Sequence, residues 1–441
     1  MGIPEELARA LARVTFGPFP GQVDDALARS LSVEDVIEER AAIRAPFEPR
    51  DLAVMPRGDG VELVDSGPLR IDGPDPAPYD NPHSYRNWWV QRLMSDDAGL
   101  HDRMMWTWHG ILTTGAQKID RINLIWQQLR ILNRHALGNL RDLLVEMSVS
   151  GATLLYLDGV NSDIKGPPNE NYARELMELF TLGRGRFTQT DVVAVAKVLA
   201  GWSIDVEHEP LPDNRVWLRT DAALDRPVTV LGVRGVRRVG DLVDVLLRHE
   251  ACAPFVVGRL WDALIGGPRN RRLVDRWARS FRKSGYEIGP LVRTMVHSRQ
   301  FLEIDRPRSG LEWYCSVLRI WGLERRRDIP VDLERLGQSP YLPPNVAGWP
   351  NRQAWLSSTH LAARIRLIAD LRLPADVAAA ISASNESPVQ AALARCSLPS
   401  VDAATTAALA DLDRKLSSVT DESHIESLLR VIALTPEFAS P

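Results

Sequence analysis

Four residues in three stretches of the chain have types and spacings that could do chemistry: His109, His135, Glu175 and Glu178. Glu175 and Glu178 stand three apart in Glu170-Asn171-Tyr172-Ala173-Arg174-Glu175-Leu176-Met177-Glu178. A helix there puts both carboxylates on one face with Asn171. Carboxylates that close can hold one metal ion or share one proton. His109 and His135 lie on two other stretches of helical periodicity. If the three helices converge, two imidazoles and two carboxylates make a shell for Zn, Mn or Fe, and a metal-activated water would make the site hydrolytic. Arg174 would orient a carboxylate or take an anion. The expected catalytic set is Glu175, Glu178, Arg174 and His109; the expected metal ligands are His109, His135, Glu175 and Glu178. A plainer reading stands beside this one. Glu170–Arg174 and Arg174–Glu178 are i,i+4 pairs of the salt-bridging kind. His109, with Met105 and Leu112 on its side of a helix, also reads as a hydrogen-bonded core histidine.

Other candidates carry less. Asp158, Asn161 and Asp163 are oxygen donors, but Val160 occupies a ligand position of the calcium loop and Asp163 stands where it needs glycine. Gly183-Arg184-Gly185-Arg186 lacks the following Lys-Ser/Thr of a phosphate loop. The basic run Arg325-Arg326-Arg327 is offset by Glu324 and Asp328. Asn345, Trp349, Asn351 and Trp355 on a Pro/Gly-rich loop suit either a saccharide or peptide groove or the cap of a helical core. Cys252, Cys315 and Cys396 show no CxxC spacing, and Cys252 near His249 reads as a buried small hydrophobe. No nucleophile elbow, HExxH, GxGxxG or Walker pattern occurs.

The elements that must position these residues are helical. Apolar residues recur at three- and four-residue spacing along most of the chain, which predicts an all-α fold: a compact multi-helix body with a small β-hairpin insertion near 206–235. Asn169 after Pro167-Pro168 predicts an N-cap, with the helix running to about 182 and stopping at Gly183. Thr188 with Asp191 predicts a capping box for a helix over about 189–200. Val216-Trp217-Leu218 and Val228-Thr229-Val230-Leu231 read as the strands of the insertion. Residues 46–82 are rich in Pro, Gly and Asp and read as an irregular excursion. The expected organisation is an N-terminal helical lobe over 1–205, the insertion over 206–240 and a C-terminal helical lobe over 241–441, integrated as one domain.

Across 441 residues the hydrophobic fraction is 45% and the net charge −4. That is a globular composition without a global pull toward nucleic acid or anionic membrane. No apolar run reaches the roughly 20 residues of a membrane span, and the first 17 residues lack a signal-peptide core, so the expected location is cytoplasmic.

Several stretches then resemble a known family. Pro168 to Gly183, continuing through Phe187-Thr188-Gln189 and Asp191 to Gly201-Trp202, is similar to the signature of the bacterial family catalogued as "domain of unknown function 1800". Arg13-Val14-Thr15-Phe16-Gly17-Pro18, Trp88-Trp89, Trp106 to His109, Arg134 to Asn139, Leu155 to Asp158, Pro343 to Val346 with Gly348-Trp349-Pro350, and Thr435-Pro436-Glu437-Phe438 extend the likeness over nearly the whole chain. The resemblance implies one helical unit and supplies no mechanism. Relatives are often exported, and often encoded beside a protein similar to phosphatases and sulfatases, which implies a partner of that kind. Where many members read Trp-His-Asn-His, this chain has Trp108-His109-Gly110-Ile111. Two functions remain: an enzyme with a His/carboxylate site, or a non-catalytic binding or assembly protein for such a partner.

Overall fold

Two helices that are buried nearly all round form the centre of the protein. Gly310–Trp321 is buried at every residue, and Leu100–Ile111 at every residue but Gly110. A helix apolar on all faces has to sit inside a shell of others. Each nevertheless carries ionisable groups into that interior: Arg103 and His109 on one, Glu312 and Arg319 on the other. The computed structural model describes residues 2–43, 82–119, 122–160, 162–204, 216–323, 329–350 and 352–440. Residues 46–81 of the expected excursion over 46–82, Asn161, Asn351 and the basic run at Arg325-Arg326-Arg327 lie outside them; Pro82 begins a helix.

The architecture is all-α with two small antiparallel sheets. One continuous apolar core runs from Ala10 of the first helix to Phe438 near the end of the chain, so both expected lobes share it. The last helices dock on the centre through specific bonds. Trp313 Nε1 donates to Ala433 O at 2.8 Å, and Arg395 Nε to Ile320 O at 2.9 Å.

The small β insertion is present as two antiparallel strand pairs, one of them a tight hairpin. Val216–Leu218 (β2) pairs with Trp202–Ile204 (β1), directly after the signature region. Val228–Val230 (β3) pairs with Val233–Val236 (β4) across Leu231-Gly232. Both turn residues have positive φ, 49° and 79°, as a two-residue hairpin turn requires. Leu231 is therefore a turn residue and not the end of a strand. The two β-type runs therefore pair with different neighbours and not with each other.

Local capping placed the signature correctly. Asn169 accepts from Tyr172 N and donates to Leu157 O, and Thr188 with Asp191 forms the reciprocal capping box. Within the signature the regular helix covers only Glu170–Glu175. Leu176–Thr181 is a π-helical turn, and Thr181 Oγ1 donates to Leu176 O at 2.7 Å. Such turns insert an extra residue and recur at functional sites.

Candidate functional site

The expected four-residue shell does not assemble. Among the described residues no three His, Cys, Asp or Glu side chains are grouped to hold a metal ion. Glu175 and Glu178 are neighbours, and Glu175 is half-buried with its pKa raised, first by burial and then by the Glu178 charge. Among the described residues no hydrogen-bond partner lowers it. Glu178 instead accepts from Arg184 Nε at 2.6 Å, and Arg174 donates to Gln189, which donates to Glu170. The expected i,i+4 pairs through Arg174 are thus replaced by bonds to a following loop and helix. His135 bonds Glu146 at 3.0 Å, and Arg134 holds both oxygens of the same carboxylate.

His109 is somewhere else again. It is fully buried in a cage of four aromatic rings: Tyr341 at 4.3 Å, Trp89 at 5.0 Å, Trp349 at 5.2 Å and Trp106 at 5.6 Å between centroids. The Tyr341 backbone N–H donates to His109 Nε2 at 3.1 Å. An amide can only donate, so Nε2 carries no proton and the ring proton sits on Nδ1. Burial pushes the imidazole pKa down to about 3, so the ring is neutral at ordinary pH. Neither nitrogen is then a metal ligand: Nε2 is spent on Tyr341, and Nδ1 bears the proton. This corrects the expectation for His109. Its place in the sequence did mark a core histidine.

The cage is held under strain. Tyr341 is fully buried and bulky yet has φ of 56°, and its carbonyl accepts from Ala116 N at 2.7 Å. Seven residues on, Gly348 has φ of 87°, and a Cβ there would stand 2.5 Å from Gly110 O. Glycine is what lets the 343–350 loop lie against the Leu100–Ile111 helix and bring Trp349 onto Trp106 at 5.4 Å, nearly parallel. Among the described residues four polar atoms in this region are buried without a partner: His109 Nδ1, Ser339 Oγ, Tyr341 Oη and Trp349 Nε1.

On the other side of Trp106 and Trp349 lies a cleft of about 90 Å³, lined among others by Arg103, Arg259, Arg306, Glu312, Trp349 and Trp355. Glu312 is its hub. It accepts from Arg306 Nη2 at 2.8 Å, Arg306 Nη1 at 3.1 Å, Ser309 N at 2.9 Å and Arg103 Nη1. Burial opposes its charge, but the two guanidiniums and these bonds hold its pKa far below the usual carboxylate range. Arg103 also donates to Thr15 O and lies 4.2 Å over the Phe16 ring. Burial lowers its pKa to about 10, which leaves it charged. Asp262 on the cleft wall is taken by Arg269. Arg259 has one long contact, to Gly110 O at 3.5 Å, and burial followed by the Arg269 charge lowers its pKa, with no carboxylate opposing. Counting Arg269, four guanidiniums meet two carboxylates. Among the described residues Arg103 Nε and Arg306 Nε are buried without a partner. Ile111, at the position of the second histidine in the resembled motif, lines this cleft too.

Of the cleft residues, sequence reasoning singled out Trp349 and Trp355, as a groove or a core cap, and missed Arg103, Arg259, Arg306 and Glu312. The sequence signal available for Glu312 was Ser309 three residues before it, which forms an ordinary capping box. The same buried arginine chemistry explains the flanking motifs. Arg13 binds Phe301 O and Ile304 O, Arg319 binds Leu93 O and Met94 O at 3.1 Å, and Arg308 binds Phe438 O at 2.7 Å over its ring. A separate space of about 500 Å³ between the first helix and the C-terminal segment has its arginines engaged, Arg9 with Asp305 and Arg308 with Phe438 O.

No helix of the described residues is long and apolar enough to cross a membrane. Comparison with curated proteins and with solved structures gives no match to the chain. The sequence model described as "Protein of unknown function (DUF1800)" matches residues 9–440, and the chain belongs to that family.

Proposed function

We propose that this is a binding protein whose ligand presents an anionic group to the cleft between Arg103, Arg259, Arg306 and Trp349. The observation that carries this reading is the imbalance of charge in the cleft: among the described residues its two carboxylates are engaged by Arg103, Arg306 and Arg269, while Arg259 has a long contact to a backbone carbonyl and no carboxylate. A largely buried guanidinium without a counter-charge is costly, so an anionic ligand is the group that best completes it. Trp355 and Pro350 on the wall give the rest of the ligand an apolar surface to lie on. The reading is tested by thermal unfolding with millimolar anions at constant ionic strength. The expected result is a rise in midpoint for wild type that Arg259→Gln loses while keeping its circular dichroism. A rise of equal size in both proteins, or none in either, would remove the reading.

The enzyme reading keeps one supporting observation, the Glu175–Glu178 pair beside the π-helical turn, with Glu175 unpaired and its pKa raised. On that reading Glu175 is an acid–base group without a metal. A protein partner, of the phosphatase- or sulfatase-like kind that the family resemblance implies, is favoured by Trp217 and Leu218, which are 48% and 42% exposed on β2.

A further inference from the structure

We propose that the anionic group taken by the cleft is a tetrahedral oxyanion, a sulfate or phosphate monoester, rather than a carboxylate. This rests on the anion-binding reading above and specifies its ligand.

The number and origin of the cleft's arginines carry this. Arg103 comes from the Leu100–Ile111 helix and Arg259 from the Cys252–Leu264 helix. Arg306 comes from the turn before Ser309, and Trp349 from the loop that closes the aromatic cage. Four chain segments therefore bring three arginines and a tryptophan to the lining of one cleft. A carboxylate offers two oxygens whose lone pairs lie in one plane, which suits a single fork such as one arginine. A sulfate or phosphate ester offers three terminal oxygens spread in three dimensions. That suits a cleft lined by arginines from three separate chain segments, and arginine is the side chain used for such groups.

Size and charge agree. A space of about 90 Å³ takes a head group, whereas pockets for whole drug-sized ligands run to about 300–1,000 Å³. The ester's organic part is left toward the exposed Pro350 of the lining. Arg103 and Arg306 share one carboxylate, and Arg259 has none among the described residues, so the cleft carries surplus positive charge for a singly or doubly charged anion. Arg103 and Arg306 are 3% and 7% exposed and Trp349 8%, so these donors are buried in the fold. They do not belong to mobile surface chains that pair with any passing ion.

The test is calorimetric titration of the full chain at low ionic strength with sulfate, inorganic phosphate and acetate as probes, on wild type, Arg259→Gln and Trp349→Phe. Trp349→Phe keeps a ring against Trp106 and removes the indole N–H together with the fused second ring. Arg299→Gln, an exposed arginine paired with Glu303, is the charge control. The expected result is one site per chain that takes sulfate or phosphate at least about tenfold tighter than acetate. It should weaken roughly tenfold in Arg259→Gln, less in Trp349→Phe, and not in Arg299→Gln. The two ester classes separate by pH, since phosphate gains its second charge near pH 6 to 7 and sulfate does not titrate there. Acetate binding as tightly as the oxyanions, with the same sensitivity to Arg259→Gln, overturns the tetrahedral assignment and leaves the anion cleft standing. Binding that is absent, or unchanged in both variants, overturns both. If Arg259→Gln fails to fold, Arg259→Lys with Trp349→Phe carries the same comparison.

Discussion

Protonation of His109 should cost the fold stability over a pH range where no carboxylate pair has yet been lost. The ring is neutral because it is buried among four aromatic rings, and its pKa is pushed from the ordinary 6.5 down to about 3. In the unfolded chain the imidazole takes a proton below about pH 6.5. The unfolded state then binds more protons than the folded one, so stability falls as pH falls through this range and is constant above it. The slope is about 1.4 kcal/mol per pH unit, so pH 5.0 should lie about 2 kcal/mol below pH 7.5 from this group alone. With 441 residues and an unfolding entropy of about 2.1 cal/mol/K per residue, that is a shift of roughly 2 °C in a single cooperative transition. Urea unfolding resolves it better than heating does. The comparison is with His109→Gln, whose amide oxygen can still accept from Tyr341 N but which has no proton to gain. The variant should be less stable at pH 7.5 by about 1–3 kcal/mol from imperfect filling of the cage, and it should lose less on acidification. Nitrogen-15 shifts of the wild-type imidazole should show the Nδ1–H form unchanged from pH 8 to 5. An imidazole that titrates in that range, or a variant as acid-sensitive as wild type, refutes the tautomer and burial argument.

Glu312→Gln leaves Arg103 and Arg306 buried without a counter-charge, and should cost about 3–5 kcal/mol in urea unfolding at pH 7. Because the folded pKa of Glu312 lies far below the usual value, its contribution is full above about pH 4.5 and fades below it, so the gap between the two proteins should narrow in acid. Glu175→Gln should be neutral or stabilising at pH 7, since the native pKa is raised, and the gain should vanish below about pH 4. A loss of stability there would instead assign Glu175 a charge partner. Gly348→Ala places a Cβ against Gly110 O at a positive φ, and should destabilise by about 1–3 kcal/mol while quenching or shifting the Trp349 fluorescence. Unchanged fluorescence with lost stability would separate the strain from the cage.

What was legible in the sequence was what neighbours in the chain decide. The cap at Asn169, the box at Thr188 and Asp191, and the stop at Gly183 are each settled within a few residues, and each stands where the sequence placed it. The strand runs were visible, but their partners were not, because pairing Val216–Leu218 with Trp202–Ile204 is a choice among segments and not a property of either. The site was the hardest case for the same reason. His109 meets Tyr341 across 232 positions, and Arg103 meets Glu312 across 209. Residue type gave the wrong weight as well. Histidines and glutamates attract attention as ligands, whereas a buried arginine looks like surface until its partner carbonyls are known. In this chain the arginines Arg13, Arg103, Arg308 and Arg319 join the opening motif, the centre and the closing Thr435–Phe438 segment through backbone carbonyls. Those carbonyl bonds satisfy guanidinium donors inside the fold. Among the described residues more arginines than carboxylates are buried. The cleft beside Glu312 is where that surplus meets open space, so the argument for structure and the argument for an anionic ligand rest on the same residues.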